Sequence, residues 1–171
     1  MNKITILLIL ISSLLLSSEM TNSIKKFTTA YEMNYDKNTT GVVRQLKIYK
    51  HPNWVAKIEL TDGKNIFFSS PKSMFEFYYR PANWSFLNLN LKSEKDFKQI
   101  LVTDFNTLKP INAKGAFFVY GTNATSPAGD DLVAFSSYDK AEKFSKAHNG
   151  KRIFSFKEVS NPLINLLNGK I

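Results

Sequence analysis

One plan is written twice in this chain, and the repeat constrains the fold more than any single motif. Residues 66–77 run from a short apolar stretch through Ser69-Ser70-Pro71 into an aromatic segment, and residues 133–144 repeat that order 67 positions later. Phe68 and Phe135, Ser69 and Ser136, Ser70 and Ser137, and Phe77 and Phe144 coincide. An apolar run precedes each copy (residues 54–60 and 116–121), and another follows it (residues 99–105 and 152–159). A strand, a serine that can accept from free helix amides, and a helix with an apolar face make one supersecondary unit. The expected class is therefore α+β: duplicated ββαβ units, mainly antiparallel sheets, one helix per half, with the halves at about 42–106 and 107–160. Such a duplication places two equivalent faces side by side, and ligand sites often lie between them.

Local signals fill in the plan. Asp62-Gly63 between two strand-like runs reads as a hairpin turn. Pro71 after Ser70 suits the first turn of a helix, because proline has no amide proton to leave unsatisfied there. Asn149-Gly150 suits a helix C-terminus, and Pro162 opens a short final helix over residues 163–167. Residues 42–48 have strand composition until Tyr49 to Asn53 break them at Pro52. Residues 85–96 read as a connection without a clear period, and residues 19–41 as a flexible polar leader arm.

Lys3 followed by an apolar run over residues 4–16, then Ser17-Ser18, matches the basic and apolar parts of a secretory signal. The run is shorter than the roughly 20 residues of a membrane-spanning helix. The expectation is a periplasmic protein, exported by a signal within residues 1–18, or one held at the inner membrane through 4–16 if that signal stays uncleaved. No cysteine occurs, which rules out disulfides, thiolate metal ligands, a cysteine nucleophile and lipid attachment behind the apolar run. The net charge is +9, but the lysines are dispersed along the chain. That pattern is a solvated basic surface rather than a nucleic-acid footprint.

Residues that carry chemistry are sparse. The sequence has no Ser-His-Asp order, no His-Glu-x-x-His spacing and no glycine-rich phosphate loop, so no catalytic residue is assigned and an enzyme is not expected. Asp130-Asp131 read as solvent-facing carboxylates or a loop cation site. His51 and His148 each lie in a turn, and Met74 sits on the aromatic helix, where methionine ordinarily fills gaps.

Two segments are more specific. Ile48-Tyr49-Lys50-His51-Pro52-Asn53-Trp54-Val55-Ala56-Lys57-Ile58, with Asp62-Gly63-Lys64 and the run from Phe67 to Phe75, resembles the NosL family. So does Asp104-Phe105-Asn106-Thr107-Leu108-Lys109-Pro110-Ile111-Asn112-Ala113, continuing through Ala116 to Gly121 and Ser126 to Phe135. The resemblance covers roughly residues 42–159. It implies a nitrous oxide reductase accessory protein: exported, often membrane-anchored, built from a pair of ββαβ units, and binding Cu(I). Family members have Cys-Gly-Met before the Tyr-Lys-x-Pro turn, where Arg44-Gln45-Leu46 stand here. They have Gly-Pro-Met-Gly-His where this chain has Ser126-Pro127-Ala128-Gly129-Asp130. The positions matching the copper ligands are thus Arg44, Leu46, Ala128 and Asp130, none of them a soft donor.

Cu(I) is implied by resemblance only, and no cofactor is expected. The favoured reading is an accessory protein acting as a scaffold for a protein partner in the exported compartment, with nitrous oxide reductase or its assembly machinery as the candidate. A copper carrier would need a relocated site drawn from Met33, His51, Met74 or His148. A small-ligand binder would use the former metal cleft, with Arg44 and Asp130 as a polar pair.

Overall fold

A computed structural model describes residues 31–89, 91 and 93–170. The apolar run 4–16, and the signal and anchor read from it, lie outside the described residues. The first sheet begins with a hairpin of β1 (Ala56–Leu60) and β2 (Asn65–Phe68), registered Ile58 to Ile66. The Asp-Gly signal is realised there: Gly63 has φ +86°, a conformation open to glycine, and the Asp62 carboxylate accepts from the Lys64 amide at 3.0 Å. Helix α1 (Pro71–Tyr79) follows, and then β3 (Phe97–Thr103) and β4 (Pro110–Asn112), giving the order β2-β1-β3-β4.

The second sheet is built the same way. Strands β5 (Phe117–Tyr120) and β6 (Leu132–Phe135) pair, helix α2 (Tyr138–Ala147) follows, and β7 (Arg152–Ser155) returns to give β6-β5-β7. Every ladder is antiparallel. The duplicated α+β reading therefore holds. Ser70 and Ser137 cap the two helices, accepting from the Ser73 and Lys140 amides. A third helix, α3 (Asn161–Leu167), is capped by Ser160 with Pro162 in its first turn. Among the described residues no helix is long and apolar enough to cross a membrane.

Two expectations change. Residues 42–48 do not form a strand: the Gln45 amide closes a turn on the Gly41 carbonyl at 2.8 Å, Gln45 takes φ +54°, and only a Thr40–Lys47 bridge remains. The cause is close approach. Gly41 lies so near β2 that a Cβ there would meet the Ser69 nitrogen at 2.7 Å, and the Val42 amide bonds the Phe67 carbonyl. Trp54 belongs to a short turn of 3-10 helix (Pro52–Trp54) ahead of β1, as Pro52 cannot join a ladder.

The core has two parts. One lies between the first sheet, α1 and the inner face of the second sheet, and includes Phe68, Met74, Phe75, Phe77, Phe118 and Phe154. The other lies beneath α2 and includes Trp54, Val119, Val133, Phe135 and Phe144. Alternation along β5 and β6 sends Phe118 and Ala134 one way and Val119 and Val133 the other, so the second sheet is covered on both faces. The halves are also tied by Asp104, which follows β3 and accepts from the Ser136 amide at 2.8 Å. Burial acts to raise the Asp104 pKa, but bonds from Ser136 and Thr107 outweigh it and hold the carboxyl down at about 2.

Candidate functional site

Two of the positions that the resemblance matches to the family's ligands, Arg44 and Ala128, contact side chains of α1. This helix is buried from Pro71 to Phe75 and again at Phe77, so its polar groups there need partners inside the protein. Lys72 is only 2% exposed, and its backbone amide donates to Asp131 Oδ1 at 2.8 Å. Asp131, equally sequestered, accepts also from the Leu132 amide at 2.8 Å and from Ser126 Oγ at 2.7 Å. Burial pushes its pKa up, against the hydrogen bonds that favour the ionised form. Asp131 is thus a structural cap supplied to α1 by the second half, not a solvent-facing carboxylate.

The Lys72 side chain reaches on into the same region. Its Nζ donates to the Ala128 carbonyl at 2.7 Å and to the Leu167 carbonyl, at the end of α3, at 3.1 Å. Burial lowers its pKa; Asp131 opposes that most, Arg44 reinforces it, and Asp130 and Glu76 oppose it. One turn further along α1, Glu76 gathers three groups. Arg44 contacts Glu76 Oε2 at 2.9 Å, Asn168 Nδ2 donates to the same oxygen at 3.0 Å, and Lys170 Nζ lies 3.2 Å from Oε1. Arg44 also donates to Asn168 Oδ1 at 2.7 Å. Next to this cluster, Tyr120, Thr122, Asp130, Lys151 and Leu166 line an open cleft of about 290 Å³.

The NosL family model matches residues 32–164. This chain belongs to the NosL family. Its structure is similar to a crystal structure of the copper chaperone NosL from Shewanella denitrificans, with a TM-score of 0.65 and 21% identity over 78% of this chain and 98% of that one. A solution structure of the apo-NosL protein from Achromobacter cycloclastes also matches, with a TM-score of 0.45 and 22% identity over 64% of this chain and 87% of that one. No curated protein matches the sequence significantly. The first likeness carries the fold of the NosL architecture onto this chain; membership rests on the family match.

The four family ligand positions can now be placed. Ala128 gives its carbonyl to Lys72, and Arg44 and Asp130 are among the charges acting on that ammonium. Leu46, from the same turn as Arg44, is 37% exposed. The expected Arg44–Asp130 pair does not form, because Glu76 and Asn168 take the guanidinium. These residues do not fit Cu(I): guanidinium and ammonium bring positive charge, and the acceptors present are carbonyl and carboxylate oxygens, which suit hard cations. The relocated-site candidates lie on separate elements. Met74 is sealed in the core at 0% exposure, His51 is exposed before β1, and Met33 is half-buried in the N-terminal arm. His148 stacks on Phe144 at 4.1 Å, its Nδ1 3.1 Å from Asn123 Oδ1. Among the described residues no group of three or more His, Cys, Asp or Glu is arranged to hold a metal ion.

Lys72 and Glu76 were not singled out from the sequence. Their signal was present: two charges spaced i, i+4 on a helix otherwise lined by aromatics share one face, and in a buried helix such a face must be paired.

Proposed function

We propose that this chain is an exported NosL-type accessory protein that acts through its surface on a protein partner in the maturation of a copper enzyme, nitrous oxide reductase being the family's candidate. In this reading it works as a scaffold and carries no Cu(I) at the family's positions. The observation behind it is the donor set: where the family places sulfur and imidazole, this chain has Arg44, Leu46, Ala128 and Asp130, and two cations already occupy the acceptors nearby. Membership of a chaperone-type family and the lack of any catalytic constellation in the sequence support a role other than catalysis.

The test is a Cu(I) competition titration of the purified protein against a chelator tight enough to hold free copper low. No stoichiometric uptake is expected. Stoichiometric uptake would overturn the scaffold reading and direct attention to Met33, His51, Met74 and His148. Export is tested separately by fusing residues 1–41 to a reporter active only outside the cytoplasm; an inactive fusion would remove the compartment from the proposal.

A further inference from the structure

We propose that the Lys72 ammonium is a tethered cation seated on the carbonyl of Ala128, one of the positions matched to the family's ligands, so that this site holds its own positive charge. The inference rests on the reading that Arg44, Leu46, Ala128 and Asp130 correspond to those positions.

The geometry carries it. Lys72 is bound at both ends of its length to parts of the chain remote in sequence: its amide to Asp131, its Nζ to the Ala128 carbonyl and to the Leu167 carbonyl. A buried lysine is uncommon, because an aliphatic side chain would fill the same space without the cost of removing an ammonium from water. It persists where acceptors with no other donor would be stranded. The last carbonyls of a helix are such acceptors, and Leu167 is the last residue of α3. Loop 126–129 supplies the second one, closed by reciprocal Ser126–Gly129 backbone bonds. Gly129, at φ +88°, brings its backbone up to the ammonium, and a Cβ there would stand 3.8 Å from Nζ. Asp131, Asp130 and Glu76 favour the charged ammonium, and Arg44 acts against it. Carbonyl oxygens converging on one point make a site for an ammonium-sized hard cation, and Lys72 provides that cation from within.

The consequence is testable by vacating the site. In full-length Lys72→Ala, the melting temperature should fall by roughly 5–10 °C, the range for losing charged hydrogen bonds in a domain of this size. Millimolar n-propylammonium or methylammonium should then restore part of that loss, and NaCl at equal ionic strength should not. An unchanged melting temperature, or amines no better than NaCl, would overturn the proposal. Should Lys72→Ala not fold, Lys72→Met keeps the apolar stem and removes the charge. Amide exchange in residues 126–131 and 161–170 should then accelerate at least about tenfold relative to β1 and β3, as a lost charged hydrogen bond would produce; equal protection would overturn it. Copper uptake by the wild-type protein with amine rescue intact would remove only the scaffold reading. Failed rescue without copper uptake would remove only the tethered cation.

Discussion

Helices α1 and α2 come from equivalent places in the two halves, carry equivalent serine caps, and meet opposite fates. α1 is buried from Pro71 to Phe75 and again at Phe77, whereas α2 buries only Ala141 and Phe144 and turns Lys140, Glu142, Lys143 and Lys146 away from the core. The reason lies in how the units stack. The second sheet packs one face against α1, where Phe75 meets Phe118 at 5.2 Å, and its other face against α2, which has solvent beyond it. A helix between two sheets must satisfy its buried polar groups internally, so Lys72 and Glu76 acquire partners from distant segments. A helix with one wet face has no such need. The asymmetry places the polar cluster on α1 and leaves α2 as scaffold.

The connections show the same division. The hairpin link is short in the first half (61–64) and long in the second (121–131); the helix-to-strand link is long in the first (80–96) and short in the second (148–151). The long second-half hairpin delivers Ala128, Asp130 and Asp131 to α1. The long first-half link folds into 3-10 turns with Trp84 against Phe77.

The largest expected effect sets core against half-surface. Phe75→Ala should destabilise by about 3–5 kcal/mol, the range for a fully buried aromatic, and Phe144→Ala, on the one-sided helix, by distinctly less. Urea denaturation measures both, and equal losses would break the contrast between the helices.

The two carboxylates that bridge the halves should respond to acid with opposite signs. The folded Asp104 pKa of about 2 lies below the ordinary aspartate value of 3.8, so its contribution is complete above about pH 4 and disappears as pH falls toward 2. With Asp104 fully buried, that amounts to about 2 kcal/mol. Asp131 has a raised folded pKa, so protonating it favours the native state, and its effect is to increase stability as pH falls through that pKa. Melting temperatures between pH 2 and 6 should therefore show a smaller acid loss in Asp104→Asn than in the wild type. A steeper or unchanged acid limb would contradict the assignment.

The caps should give the smallest difference. Ser70 is buried and bonds Ser73 Oγ at 3.1 Å as well as its amide, whereas Ser137 lies half-exposed at the start of α2. Ser70→Ala should cost about 1–2 kcal/mol and Ser137→Ala about 0.5–1. Chemical denaturation of the pair sharpens the contrast if the order holds; a larger loss at Ser137 would reverse it.

What local chemistry governs was legible in the residues. Ser70, Ser137 and Ser160 are caps because hydroxyl oxygens accept from free amides, Gly63 turns because it tolerates positive φ, and the repeated apolar runs pair as strands. Residues 42–48 misled because their strand composition is overridden by Gly41 packing on the β2 backbone, a tertiary contact that composition does not encode. The candidate site was legible only through resemblance, which matched Arg44, Leu46, Ala128 and Asp130 to the family's ligand positions. It did not give their partners in the fold.

Those partners required the tertiary structure. Arg44 finds Asn168, Lys72 finds Ala128 and Leu167, and Asp131 finds the α1 terminus across separations that no local pattern spans. The sequence by itself determined two ββαβ units with their caps and turns, because each follows from residue type and short-range geometry. Which helix would be enclosed was decided only by stacking. Burial sets the cost of an unpaired charge, and so it decided that the lysine of one helix would be bound inside the protein while those of the other stayed in water.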